Sequence, residues 1–296
     1  MNAGEDAPME MKDYQLRSVK VRYVEAEGPS PPIVFLHGVT DSLTSYLAPM
    51  SMLGGEFRML ALDFRGHGLS GHTPGEYRVR DYAADVQEFV EGVVREPALV
   101  VGHSLGSLVA SLLGSVATGL VRGVFLEDPP FYRAQMPAFR DTSDYQIFAG
   151  LREVLRQHQE AAQSVDALAQ LVGAWPIHPM LFDGRPLLDI AGPEVVRARA
   201  ESLHRMDVEA LQPVLDGTQF DGFNPDEVLA KIESPVHLLA GAVRLGGAVE
   251  QRDVERLASV VRRYTHRTLL GVGHMIHHTA PVDYVHEVRA FAETCR

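Results

Sequence analysis

The sequence predicts an α/β protein: a doubly wound, mostly parallel sheet with a helical cap inserted late in the chain. Three observations carry that prediction. Short unbroken apolar runs, "PIVFLHG", "FRMLALDFRG", "ALVVGHS" and "VRGVFLED", recur through the first half, and runs of this length suit parallel strands covered on both faces. Stretches with apolar residues at helical spacing separate them, "VRDYAADVQEFVEGVV" being the clearest, and such alternation builds a doubly wound sheet. From Pro129 to about Leu215 the buried-strand pattern stops and only helical stretches remain.

Taken in order, "QLRSVKVRYVEAEG" alternates apolar and polar residues and reads as an antiparallel pair at a sheet edge. The four apolar runs follow as strands, joined by the helices "SLTSYLAPMSML", "VRDYAADVQEFVEGVV" and "LGSLVASLLGSVATG". The insertion reads as "IFAGLREVLRQHQEAAQSVDALAQLVGAW" and "PEVVRARAESLHRM", set apart by Pro and Gly. The rhythm then resumes with the strand "SPVHLLAGA", the helix "EQRDVERLASVV", the strand "RTLLGVGH" and the amphipathic "PVDYVHEVRAFAETC". The expected organisation is a core of residues 1–130 and 216–296 and a cap of residues 131–215. A crevice at the carboxyl ends of the strands is the expected binding place.

Composition narrows the function. The 296 residues are 46% hydrophobic and 22% charged, enough apolar material for a sizeable core and too much for a disordered chain. A formal charge of −12 repels anionic polymers, so neither nucleic acid nor an acidic membrane surface is an expected partner. The single cysteine, Cys295, permits no intrachain disulfide. The opening "MNAGEDAPMEMKD" lacks the apolar centre of a secretory leader, and no window resembles a membrane span. The expected location is cytoplasmic; oligomeric state is not legible.

"VVGHSLGSLVASLL" places Ser104 in Gly102-His103-Ser104-Leu105-Gly106, directly after a strand and directly before a helix. This is the context that gives G-x-S-x-G its meaning as a nucleophile elbow. The glycines let neighbouring chain pack against a sharp turn, and the helix start adds its dipole and free N–H groups. With "VFLHGVTDS", "LALDFRGHGLS" and "GVGHMIHHTAP" in the same order, the chain resembles a capped, esterase-like member of the α/β-hydrolase fold superfamily. The resemblance covers the core and not the detail of the cap.

That resemblance implies a base, His274, on the loop after the last strand, to take the Ser104 proton and return it to the leaving group. It also implies an oxyanion hole formed by the backbone N–H groups of Val39 and Leu105. His37 reads as packing beneath its loop, and His67 and Arg65 as structural. His277 and His278 follow His274 in an H-x-x-H-H pattern. No paired Cys or Asp/Glu cluster adjoins them in sequence, so no metal is assigned and both are expected at the surface or facing the cap. No cofactor is expected.

The acid that orients the base is the open question. In most members of the resembled family it follows the strand that here reads "SPVHLLAGA", and the matching position holds Arg244. A cation there opposes protonation of His274. Asp128, at the end of "VRGVFLED", is favoured instead. One branch of haloalkane dehalogenases and the resorcylic-acid lactone hydrolases carry their acid after that strand. Glu250 is next, although helix-start residues such as Glu250 and Asp253 have an ordinary role there. Glu127 is third, because strand neighbours point to opposite faces.

A serine nucleophile implies acyl transfer to water. The expected enzyme is a serine hydrolase cleaving a small to medium apolar carboxylic ester or lactone, with Phe131, Tyr132 and Trp175 as candidate lining residues. Two alternatives stay open: a carbon–carbon bond hydrolase using the same triad, and a catalytically weak ligand-binding protein, the latter motivated by Arg244.

Overall fold

The computed structural model describes residues 9–174 and 186–296. Among them an eight-stranded sheet runs in the order β1-β2-β4-β3-β5-β6-β7-β8. The strands are β1 (Met9–Gln15), β2 (Lys20–Ala26), β3 (Ile33–Leu36), β4 (Met59–Leu62), β5 (Ala98–His103), β6 (Val121–Glu127), β7 (Val236–Gly241) and β8 (Tyr264–Leu269). β1 and β2, and β2 and β4, pair antiparallel; the other pairs are parallel. The helices are α1 (Leu47–Leu53), α2 (Val79–Phe89), α3 (Leu105–Val116), α4 (Ser143–Glu160), α5 (Val165–Ala174), α6 (Leu187–Arg205), α7 (Gln212–Asp216), α8 (Pro225–Leu229), α9 (Gln251–Val260), α10 (Ile276–Thr279) and α11 (Pro281–Thr294).

The apolar runs are continuous because both faces of the sheet are covered. Val34, Leu36, Val100 and Leu126 pack with Val86, Phe89, Leu108 and Leu113 of α2 and α3. Their strand neighbours Ile33, Phe35, Val101 and Phe125 pack with Met50 and Leu53 of α1 and Tyr284 and Val288 of α11. Alternation along each strand therefore feeds two cores.

Two elements depart from the sequence reading. The antiparallel pair begins earlier than expected: "MEMKDYQ" is β1, an exposed edge strand whose alternation is weak because its outer face meets water. β8 is also displaced, covering Tyr264–Leu269, so that "GVGH" lies in the loop beyond it. That edge strand is largely exposed and carries no buried-strand signature. Between β6 and β7 the regular elements among the described residues are all helices, α4 to α8 and short 3-10 turns. The long helical stretch expected there is two helices, interrupted near Ala162 at φ 48°. α6 is broken at Gly192, φ 78°, just before Pro193.

Candidate active site

Ser104 stands between β5 and α3 with φ 50° and ψ −113°, a sparsely populated region that costs on the order of 1–3 kcal/mol when a surrounding fold enforces it. The enforcement is visible. A Cβ on Gly102 would meet the Gly106 carbonyl oxygen at 2.2 Å, and one on Gly106 would meet that of Leu36 at 2.0 Å. Only glycine admits so close an approach of three backbone segments. The Ser104 N–H donates to the Glu127 carbonyl oxygen at 3.0 Å, fixing the turn to the neighbouring strand.

Beside it lies the loop after β3. Gly38 faces Ser104 so closely that an added Cβ would stand 3.5 Å from the serine Cβ. Val39 and Leu105 flank this contact in sequence. Among the described residues, neither of their N–H groups is taken up by a protein acceptor. His37 accepts from the Phe64 N–H at Nε2 and faces the Gly38 carbonyl with Nδ1. Burial, reinforced by His67, pushes its pKa down to about 3, so it is a neutral strut. His67 Nε2 lies 2.7 Å from the Val39 carbonyl oxygen and braces the same loop.

His274 follows β8, its ring packed 4.6 Å from that of His103, the residue preceding Ser104. Its Nδ1 lies 2.6 Å from Asp128 Oδ2. Asp128 is fully buried, sits just past β6 at φ 45°, and also accepts the Gly241 N–H at Oδ1 and the Ala248 N–H at Oδ2. The structure thus brings Asp128 to His274. It does not bring Glu250 there: Glu250 opens α9, its N–H donating to Asp253 and its carboxylate pairing with Arg252. Arg244 is exposed and donates to the Leu270 carbonyl oxygen.

Glu127 is buried too, and engages a different histidine. It accepts from the His277 backbone N–H at 2.9 Å, and its two oxygens lie 2.8 and 2.9 Å from His277 Nδ1. This corrects the expectation of a surface His277, which is buried and stacked on Tyr46; His278 is exposed as expected, 3.4 Å from Asp41 Oδ2. Burial lowers the His277 pKa, but the Glu127 and Asp41 carboxylates outweigh it and raise it to about 9.

Acids adjoin these histidines in space, though none does in sequence. Ligand atoms of Asp41, His277 and His278 converge, as do those of His103, Glu127 and His277. A metal requires neutral imidazole, and the proton held by His277 competes directly with it. His103 is held neutral, by burial first and then by His277 and His274. Its Nε2 donates to the His274 carbonyl oxygen at 3.1 Å and fixes the His274 backbone.

Of the lining candidates, Phe131 is buried against Phe223, and the Tyr132 hydroxyl donates to Asp226 under the Arg256 guanidinium. Tyr132 borders a cavity of about 270 Å³ with Arg133, Glu250, Arg252, Asp253 and Arg256, which includes neither Ser104 nor His274. Trp175 lies outside the described residues. No described helix is long and apolar enough to cross a membrane.

The 2-(acetamidomethylene)succinate hydrolase of Mesorhizobium japonicum is 29% identical over 192 residues, 64% of this chain and 61% of that protein. A serine hydrolase-like protein of Danio rerio is 35% identical over 105 residues, 34% of this chain and 32% of that protein. The chain thus matches less than two thirds of the length of these relatives. Among solved structures, the enol-lactonase of Burkholderia xenovorans superposes with a TM-score of 0.72 at 17% identity, covering 95% of this chain and 99% of that one. An E-2-(acetamidomethylene)succinate hydrolase does so with a TM-score of 0.71 at 19% identity, covering 97% and 100%. The sequence model of the Alpha/beta hydrolase family matches residues 33–288. The chain belongs to that family.

Proposed function

We propose that the protein is a serine hydrolase that cleaves a small to medium carboxylic ester or lactone through an acyl-enzyme on Ser104. The observation that carries this reading is the Asp128–His274 contact beside the strained Ser104 turn. Asp128 holds the proton of His274 on Nδ1, which leaves Nε2 free to accept one. His274 takes the Ser104 proton as Oγ attacks the carbonyl carbon, and the tetrahedral oxyanion forms against the Val39 and Leu105 N–H groups. Collapse expels the alcohol, which receives the proton from His274. Water, deprotonated by the same imidazole, then releases the acid and frees Ser104.

The similarity to an enol-lactonase supports inclusion of lactones. Arg244 no longer argues for a binding protein without turnover, because the acid that its position lacks is supplied by Asp128. The test is hydrolysis of 4-nitrophenyl acetate and butyrate and of a lactone panel by wild type and Ser104→Ala, with fluorophosphonate labelling of both. Turnover and labelling are expected in the wild type alone. Equal rates and equal labelling would overturn the reading.

A further inference from the structure

Arg199, on α6 of the cap, lacks the carboxylate partners that three other cap arginines have among the described residues. Arg156 pairs with Glu153 and Glu160, Arg197 with Asp166 and Glu201, and Arg133 with Asp144. Arg199 has no carboxylate within ion-pair distance among the described residues; its one described hydrogen bond runs from Nη2 to Thr40 Oγ1 at 2.9 Å. Arg199 is partly exposed as a residue, and desolvation lowers its pKa. The charge that acts on it is that of Asp41, which already faces His277 and His278.

Its position is fixed from two sides. Three residues further along α6, the Ser202 hydroxyl lies 2.8 Å from that of Ser42, so this helix face is docked on the loop after β3. Thr40 follows Val39 in that loop, two residues beyond Gly38, which lies against Ser104. Two Cα steps of about 3.8 Å each separate Thr40 from Gly38, so the guanidinium is within reach of a molecule a few carbons long that is seated on Ser104. Folded proteins rarely leave an enclosed cation unpaired.

We propose that Arg199 binds a carboxylate carried by the substrate, making the preferred substrate a half-ester of a short dicarboxylic acid or a lactone with a pendant carboxylate. The proposal rests on the Ser104 hydrolase reading for its chemistry. After one bond to Thr40, the planar fork retains donors for a bidentate carboxylate. A single cation suits a monoanion better than a phosphate dianion. No change in the reaction is implied: the carboxylate stays intact while the ester or lactone bond breaks.

The test compares mono(4-nitrophenyl) succinate with 4-nitrophenyl butyrate, on wild type, Arg199→Gln and Arg199→Lys. Thermal unfolding of each variant checks folding. Arg199→Gln is expected to lower the ratio of kcat/KM for the anionic over the neutral ester about tenfold or more, chiefly through KM, with Arg199→Lys recovering part of it. Succinate should inhibit butyrate hydrolysis competitively in the wild type and more weakly in Arg199→Gln. A ratio unchanged within about twofold, or both esters falling together, assigns Arg199 to holding the cap on Thr40 and overturns the proposal. A thermal shift by succinate in Ser104→Ala separates the two readings. If succinate stabilises Ser104→Ala but not the Ser104→Ala/Arg199→Gln double variant, while wild type hydrolyses neither ester, the carboxylate site stands and the hydrolase reading fails.

Discussion

Asp128→Asn is the substitution on which the catalytic reading turns. It preserves the side chain's shape and removes its charge and half its capacity to accept. Asp128 is buried and accepts three N–H groups: Gly241 at Oδ1, and Ala248 and the His274 ring at Oδ2. An amide can accept at one of those positions and must present its NH2 at the other. With NH2 in place of Oδ2, it opposes the Ala248 N–H and turns His274 to the tautomer with hydrogen on Nε2, which cannot take a proton from Ser104. With NH2 in place of Oδ1, it opposes the Gly241 N–H and the imidazolium loses its counter-charge. Tautomer loss of this kind lowers kcat by about 10⁴ in a serine protease triad, or roughly 5.5 kcal/mol at 1.36 kcal/mol per tenfold. A buried donor left opposed costs about 1–3 kcal/mol, so Tm should fall by roughly 2–12 °C at about 2–4 °C per kcal/mol. The assay is kcat on 4-nitrophenyl butyrate for wild type, Asp128→Asn and Glu250→Gln, with thermal unfolding on the same samples. A loss of orders of magnitude in Glu250→Gln, with Asp128→Asn within about threefold of wild type, refutes the assignment.

Gly241→Ala would put a Cβ 2.2 Å from the Gly273 carbonyl oxygen; overpacking of this kind costs roughly 1–3 kcal/mol, and kcat should fall with it as the Gly241 N–H leaves Asp128. Arg244→Ala should change stability by less than about 0.5 kcal/mol and leave kcat unaltered, since Arg244 reaches only the Leu270 carbonyl oxygen; a large loss of kcat would return that loop to the catalytic machinery. His277 has a folded pKa of about 9 against an ordinary 6.5. Its contribution is therefore fully present below the lower value and lost as pH rises through the upper one, on the order of 3 kcal/mol in all. Urea unfolding between about pH 6 and 10 should show that decline and His277→Gln should lack it; a flat wild-type profile would mean that the pair with Glu127 is not charged.

Much of this was legible because the signals are local. Continuous apolar runs mark the central strands, and Gly102 and Gly106 bracket Ser104 at a spacing that only a tight strand-to-helix turn explains. β1 and β8 were misjudged in extent for one shared reason. Both are edge strands with exposed faces, and a strand without a buried face has little apolar pattern to read. The Glu127–His277 pair joins residues 150 apart, and the Asp128–His274 pair residues 146 apart. Nothing in the spacing of "HMIHH" says which of two adjacent carboxylates meets which histidine. Arg199 carries no such signal for the converse reason: one arginine in a helix rich in charge looks like any other, and only the fold shows that it has no carboxylate partner among the described residues.

The sheet order explains how a carboxylate after β6 can meet His274 without loss of geometry. β6 lies between the strand that carries Ser104 and β7, and adjacent strands are about 4.8 Å apart. A carboxylate at the end of either β6 or β7 can therefore reach a histidine on the loop after β8. Glu127 pairs with Leu239 in register, and the Asp128 N–H donates to the Leu239 carbonyl oxygen, so the chain leaves β6 beside the end of β7. The loop after β7 then has another use: Gly241 and Ala248, at its two ends, aim their N–H groups at Asp128. Its glycines allow this, since a Cβ on Gly247 would meet the Gly241 carbonyl oxygen at 2.6 Å. An acidic side chain in that loop would bring a second negative charge toward a buried carboxylate that already satisfies His274. An outward-facing Arg244 is what that arrangement tolerates.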